Sequence, residues 1–225
     1  LAAQWHDPSG SGHTYYLLPG DALPREVGVP EDIGAMMKES GTGAILFWSL
    51  GEANLVLPPF PVQTSASFQG WNAGPLQGLL DRPRFILVLL LRLGRYSVGV
   101  FDGEGLVLSK TGTRFVKGRH RKGGSSSSRF ARRREEQARA LFDKACEILR
   151  GIVETYPGHL DHFVLGGDRL TLLALEKRCT YLKQLNAIRL QRILEVGEPS
   201  LNALRAIPHQ VYMSRVITFS PEGTS

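Results

Sequence analysis

Seven consecutive apolar residues, Phe85-Ile-Leu-Val-Leu-Leu-Leu91, stop at Arg92, and no other stretch restricts the fold as strongly. A run of this length is too short to cross a bilayer and suits a buried strand, read here as Arg84–Leu93. The residues just beyond it supply its neighbours. Tyr96, Val98 and Val100 alternate with Ser97, Gly99 and Phe101, Asp102-Gly-Glu-Gly105 forms a compact turn, and Leu106–Ser109 returns. The pattern predicts an antiparallel meander, extended by Thr113–Val116 as a fourth, short strand.

Beyond the meander the period changes. Ala138, Leu141, Phe142, Ala145, Ile148, Leu149 and Ile152 step by three and four, predicting a long helix from Ser127 or Ser128 to Thr155, ended by Pro157-Gly158. Leu160–Leu165 reads as a strand, Gly166-Gly167 as a turn, and Asp168 as the N-cap of a helix to about Leu182. Gln184–Val196 is ambiguous, with strand-like alternation. Ser200–Ala206 reads as a short helix and Gln210–Phe219 as a closing strand. Strands followed by helix–strand alternation predict an α/β class chain with a mixed sheet and helices on its faces.

The first eighty residues are rich in Gly, Pro and turn signals. Strands are expected at Tyr15–Leu18, Ala44–Ser49 and Ala53–Leu57, and helices at Pro30–Ser40 and Gly74–Leu80. The expected organisation is a small N-terminal α+β module, 1–82, and a second domain, 83–225. Trp48, Phe60 and Trp71 are assigned to the module's core rather than to a binding face. Cys146 and Cys179 form no CxxC and no His-paired zinc spacing, so they are read as reduced, buried thiols of a cytoplasmic protein. No signal-peptide pattern is read. Leu1 is not an initiator Met, so the natural N-terminus is expected upstream.

Charge is the second constraint. The chain carries 27 Lys and Arg against 21 Asp and Glu. Ten of the cations fall between Gly105 and Arg134, where there is no acid; outside that stretch the balance is 27 − 10 = 17 basic to 21 acidic. The excess is therefore local, as expected of a surface that meets a polyanion. Arg129, Arg132, Arg133 and Arg134 would sit at the positive end of the predicted helix, each costing roughly 0.3–1 kcal/mol. A bound anion reverses that sign. Gly123-Gly124 and the serines after them form a slim tip between cations, suited to a phosphate-walled crevice. A plain flexible linker or a solvated basic loop is the competing reading.

The residues His120-Arg-Lys-Gly-Gly-Ser-Ser-Ser-Ser-Arg-Phe-Ala-Arg-Arg-Arg-Glu-Glu-Gln137 resemble the signature of the middle domain of eukaryotic and archaeal class-one peptide release factors. There a basic lead-in and Gly-Gly-Gln precede Arg-Phe-Ala-Arg-x-Arg at the head of a long helix. Within that superfamily the chain looks most like the release-factor-like peptidyl-tRNA hydrolases of ribosome quality control and their bacterial relatives. The likeness covers about Arg84–Phe219 and implies an RNase-H-like core. It also implies a loop that enters the peptidyl-transferase centre and promotes codon-independent hydrolysis of the peptidyl-tRNA ester.

Carried over residue by residue, Gly123, Gly124, Ser125 and Ser126 form the catalytic tip. Lys117, Arg119, His120, Arg121, Lys122, Arg129, Arg132, Arg133 and Arg134 form the RNA-binding flank. The implied partners are the large ribosomal subunit, with its rRNA, and peptidyl-tRNA. The chain is expected to act as a monomer, without a membrane, metal or cofactor. The family glutamine falls on Ser125, or on Ser126 in the quality-control hydrolases. Either a serine stands in, or hydrolysis is lost and the protein is a non-catalytic rescue or RNA-binding factor.

Other candidates carry less. His120 has the chemistry of a general base. His159 and His162 with Asp161 loosely resemble metal ligands. Gly166-Gly167-Asp168 has the form of a phosphate cradle or of a capped turn. The serines lack a nucleophile-elbow context.

Overall fold

The computed structural model describes residues 11–23, 27–114 and 127–221. The chain divides into two units, Leu1–Arg82 with Val211–Ser225, and Pro83–Gln210.

In the first unit, β1 (His13–Leu17), β2 (Ala44–Ser49), β3 (Glu52–Leu57) and β4 (Ala66–Gln69) pair antiparallel, in the order β3-β2-β1-β4. The helix α1 (Glu31–Glu39) sets Ile33 and Met37 against Leu46 and Leu55 on one face. The helix α2 (Gly74–Asp81) sets Leu76 against Ile45, Phe47 and Val56 on the other. Phe60 is fully buried, and the half-buried Trp71 donates its indole N–H to the Trp48 carbonyl at 3.2 Å. The tryptophans therefore build this core.

The second unit is organised by the apolar run. The strands β5 (Phe85–Arg92), β6 (Arg95–Asp102) and β7 (Gly105–Thr113) form the expected meander, and β8 (His162–Gly167) and β9 (Arg189–Leu194) add parallel strands on the far side of β5. The order is β7-β6-β5-β8-β9. Placing β5 in the centre explains its sequence, because both of its faces are covered. Leu87, Leu89 and Leu91 pack in the cluster with Leu141, Ala145, Leu149 and Ile152 of α3 (Ser127–Thr155). On the opposite face, Gly99 lies across from Val88, and a Cβ there would come within 3.1 Å of Leu204 from the short helix α5 (Leu201–Arg205). The observed fold is the mixed α/β class expected, with helices on the sheet.

Several expectations are corrected. Thr113 ends β7 instead of opening a fourth strand; Phe115 and Val116 lie outside the described residues. Gly166 and Gly167 finish β8 rather than forming a turn, because they run close beside β5. Gly167 has φ +123°, and a Cβ there would collide with the Leu91 carbonyl. The helix capped by Asp168, α4 (Arg169–Arg178), stops four residues before Leu182. Cys179 leaves helical geometry at φ −91°, ψ 84°, and a 3-10 run from Thr180 to Ile188 comes next.

The expected closing strand begins later, at Arg215. Gln210 and Val211 belong to a further short helix, α6 (Ile207–Val211). The strand itself, β10 (Arg215–Phe219), pairs antiparallel with β3, Ile217 opposite Leu55. It therefore completes the first unit's sheet, and does not belong to the domain 83–225 in which its position along the chain places it. An alternating strand carries no mark of which sheet edge it will join.

The cysteines are also corrected. Cys146 of α3 and Cys179 at the end of α4 are joined in a disulfide, with Cα atoms 5.8 Å apart, and no cysteine is free. No helix is long and apolar enough to cross a membrane among the described residues.

Candidate nucleic-acid interface

The helix α3 is fixed by its C-terminal part. From Leu141 onward the residues facing the sheet are buried: Leu141, Phe142, Ala145, Leu149 and Ile152. Two further links clamp this part to the end of α4. Arg178 grips Asp143 through both oxygens, Nε to Oδ1 at 2.6 Å and Nη2 to Oδ2 at 2.7 Å. The disulfide lies next to that pair in sequence. Hydrogen bonding to Arg178 holds the Asp143 carboxyl below its usual range, and the guanidinium rises in turn.

The N-terminal turns are built differently. No residue from Ala131 to Ala140 is buried, and the first turn holds no acid. Arg129, Arg132 and Arg133 are exposed and Arg134 is partly so. Arg132 reaches Glu136 at 3.2 Å, four residues on, in the less favourable order with the cation nearer the helix N-terminus. Arg129, Arg133 and Arg134 make no ion pair with any described residue. Three unneutralised guanidiniums at the positive end of a helix form an anion-seeking surface.

These four arginines are the members of the sequence-predicted site that the structure places, and it brings them together. Lys117, Arg119, His120, Arg121, Lys122, Gly123, Gly124, Ser125 and Ser126 lie outside the described residues. The segment is bracketed by described ends. Arg114, at the exit of β7, lines an open hollow together with Arg133, Glu136 and Gln137 of α3. Arg114 belongs to the basic stretch that the sequence displays, whereas Arg92 and Arg95 stand outside it and sequence reasoning misses them. Those two flank the β5–β6 turn and line a second hollow that shares Thr113 and Arg114 with the first. Their signal is one arginine on each side of Leu93-Gly94, too common a pattern to single out.

The weaker candidates resolve into structural roles. Asp161 accepts the Phe85 N–H at 2.8 Å and so pins the start of β5. A ring nitrogen of His159 meets the Pro157 carbonyl at 2.8 Å. Among the described residues, no group of three or more His, Cys, Asp or Glu could hold a metal ion. Asp168 caps α4, accepting from the Thr171 N–H at 2.9 Å and from its hydroxyl at 2.6 Å. These bonds lower its pKa, and the charge of Arg92 adds to the effect.

Known proteins resemble this chain to different extents. Residues 84–217, more than half the chain, match the family model for the Actinobacteria/chloroflexi VLRF1 release factor. Over 97 residues the chain is 29% identical to peptide chain release factor subunit 1 of Archaeoglobus fulgidus, a match covering 43% of this chain and 24% of that protein. The chain thus spans about a quarter of that relative's length. Among solved structures, the archaeal translation termination factor aRF1 aligns over 94% of this chain and 69% of its own, at 14% identity and a TM-score of 0.41. Pelota of Archaeoglobus fulgidus aligns over 89% and 55%, at 10% identity and a TM-score of 0.29.

Proposed function

The chain belongs to the Actinobacteria/chloroflexi VLRF1 release factor family, and from that premise we propose that it is a ribosome-associated peptidyl-tRNA hydrolase. It acts on large subunits that still hold a nascent chain, without reading a codon. One observation carries the reading: Arg129, Arg133 and Arg134 stand without an ion-pair partner among the described residues at the positive end of α3. Arg129, in the first turn, opposes the helix dipole, and the three unpaired guanidiniums together suit a phosphate-rich partner.

In this reading α3 is a post. Its packed C-terminal part sets its direction, and its cationic head holds the RNA at the entrance of the peptidyl-transferase centre. The tip Gly123-Gly124-Ser125-Ser126 then enters. The chemistry is ester hydrolysis. The oxygen of a water bonds to the carbonyl carbon of the peptidyl ester, the bond to the ribose oxygen breaks, and that oxygen leaves with a proton. The tip contributes by placing a main-chain N–H and excluding bulk water, work that needs orientation more than an ionisable group. Glycines at 123 and 124 allow a backbone path closed to other residues. Lys117, Arg119, His120, Arg121 and Lys122 extend the phosphate contacts on the near side. A cytoplasmic location follows from the partner. The paired cysteines no longer contribute to that inference.

A second reading has its own observation. Neither position that takes the family glutamine holds one; both are serine, Ser125 and Ser126. A hydroxyl is shorter than a side-chain amide and needs an intervening water to reach as far. On this reading the protein occupies the ribosome without cleaving the ester.

The test is to incubate the protein with large subunits carrying peptidyl-tRNA and follow the tRNA band. Hydrolysis converts peptidyl-tRNA to free tRNA, and Gly124→Ala or the double change at Ser125 and Ser126 to Ala abolishes the conversion. Tight binding with an unaltered peptidyl-tRNA band would establish the second reading instead.

A further inference from the structure

We propose that the two hollows meeting at Arg114 form one groove that holds the sugar-phosphate backbone of an RNA strand, a contact separate from the loop tip. The proposal rests on the reading of the chain as an RNA-engaging release factor. It joins Arg133, which that reading uses, to Arg92, Arg95 and Arg114, which it does not.

The groove is assembled from elements far apart in the chain. Its floor is one end of the second unit's sheet. Arg92 lies opposite Arg95 across the β5–β6 ladder, and Arg95 lies opposite Thr113 of β7. The Arg114 N–H donates to the Gly94 carbonyl at 2.8 Å, which fastens the exit of β7 to the β5–β6 turn. One wall is α3 at Arg133 and Glu136, and the other is the loop after β9 at Glu198. The position is at the carboxyl ends of the parallel strands β5, β8 and β9, where crevices of open α/β sheets receive ligands.

Its charge is lopsided. Among the described residues, four arginines, Arg92, Arg95, Arg114 and Arg133, line it against two glutamates, Glu136 and Glu198. Both glutamates are already engaged, Glu198 by Arg95 at 2.6 Å and Glu136 by Arg132 at 3.2 Å. Arg92, Arg114 and Arg133 therefore make no ion pair with any described residue. Arg92 is close enough to Asp168 to help depress its pKa, yet closes no bridge with it.

The shape selects among anions. The hollows measure about 660 and 540 Å³, lie open to solvent, and have no aromatic residue among the described residues that line them. A site for a free nucleotide is more enclosed and carries an apolar or aromatic face for the base. An open trough with guanidiniums along it reads phosphates and ignores base identity.

The experiment measures binding of the whole protein to a short RNA duplex and to isolated large subunits over a salt series. Arg92→Ala and Arg114→Ala are combined in one variant, with Arg133 left in place. A control of equal charge change carries Lys177→Ala and Lys183→Ala, neither of which lines the groove. The slope of log affinity against log salt is expected to flatten by about 2 in the groove variant, about one unit per lost phosphate contact. Low-salt affinity should fall by about tenfold or more, with an unchanged melting curve. The control should follow the wild type. A wild-type slope in the groove variant, or an equal loss in the control, overturns the proposal. Release assays separate it from the hydrolysis reading. The groove variant should need more protein but reach the wild-type extent of release. If the wild type releases nothing, the hydrolysis reading fails, while the RNA slopes still decide the groove.

Discussion

The two parts of α3 share one helix and obey opposite rules. From Leu141 to Ile152 every sheet-facing residue is buried, and the part is clamped twice to the end of α4, by Asp143–Arg178 and by Cys146–Cys179. From Arg129 to Ala140 nothing described is buried, and four arginines precede the first acid, Glu135. One part stores stability and the other gives some of it up. On the reading proposed above, the packed part serves the fold and the cationic part the RNA partner, because stability alone gives no reason to gather arginines at a helix N-terminus.

Substitutions can break that contrast. The largest effect on the fold is expected from Leu149→Ala, which empties a fully buried position at the sheet and should cost about 2–5 kcal/mol in denaturant titration. A loss well under 1 kcal/mol would show that the C-terminal part is not the anchor. Cys146→Ser comes second. The bond closes a loop with a sequence separation of 33, and its removal should cost about 2–4 kcal/mol. The same melting shift should appear in wild type after reduction, and identical melts with and without reductant would contradict the clamp.

Replacing Arg129, Arg132, Arg133 and Arg134 with Ala should act in the other direction. Stability should hold or rise slightly, since cations leave the positive helix end and alanine favours helix. Association with large subunits should fall steeply. Retained association would remove the functional half of the contrast. The smallest effect belongs to Asp143→Asn. Because Arg178 lowers the pKa of Asp143 from 3.8, its contribution is present above about pH 4 and is lost as pH falls through the depressed value. The variant should therefore lack this part of the acid-limb loss in stability and match the wild type more closely at the lowest pH. Parallel acid limbs in the two proteins would show that the bidentate pair contributes nothing.

Local chemistry was readable wherever one residue type solves one problem. Asp168 caps α4 because Thr171 stands three residues on, a relation contained within a single turn. The run Phe85–Leu91 was readable as buried because both faces of β5 are covered. The basic loop and Arg129-Phe-Ala-Arg132 were enough to suggest the family. Gly166-Gly167 misled because glycine serves turns and close strand approach equally well, and only the neighbouring Leu91 carbonyl distinguishes the two. The cysteine pair misled because a separation of 33 residues says nothing about distance in space.

The amino-acid sequence by itself determined the periodicities, the capped turn, the local charge excess and the family signature. All of these depend on residues within a few positions of one another, where chain geometry is nearly fixed. The tertiary structure alone decided that β10 joins β3, that Cys146 meets Cys179, and that Arg92 and Arg133 line two hollows that share Arg114. Such pairings join residues distant along the chain. They are selected by the packing of whole sheets and helices, a choice that no short window of sequence records.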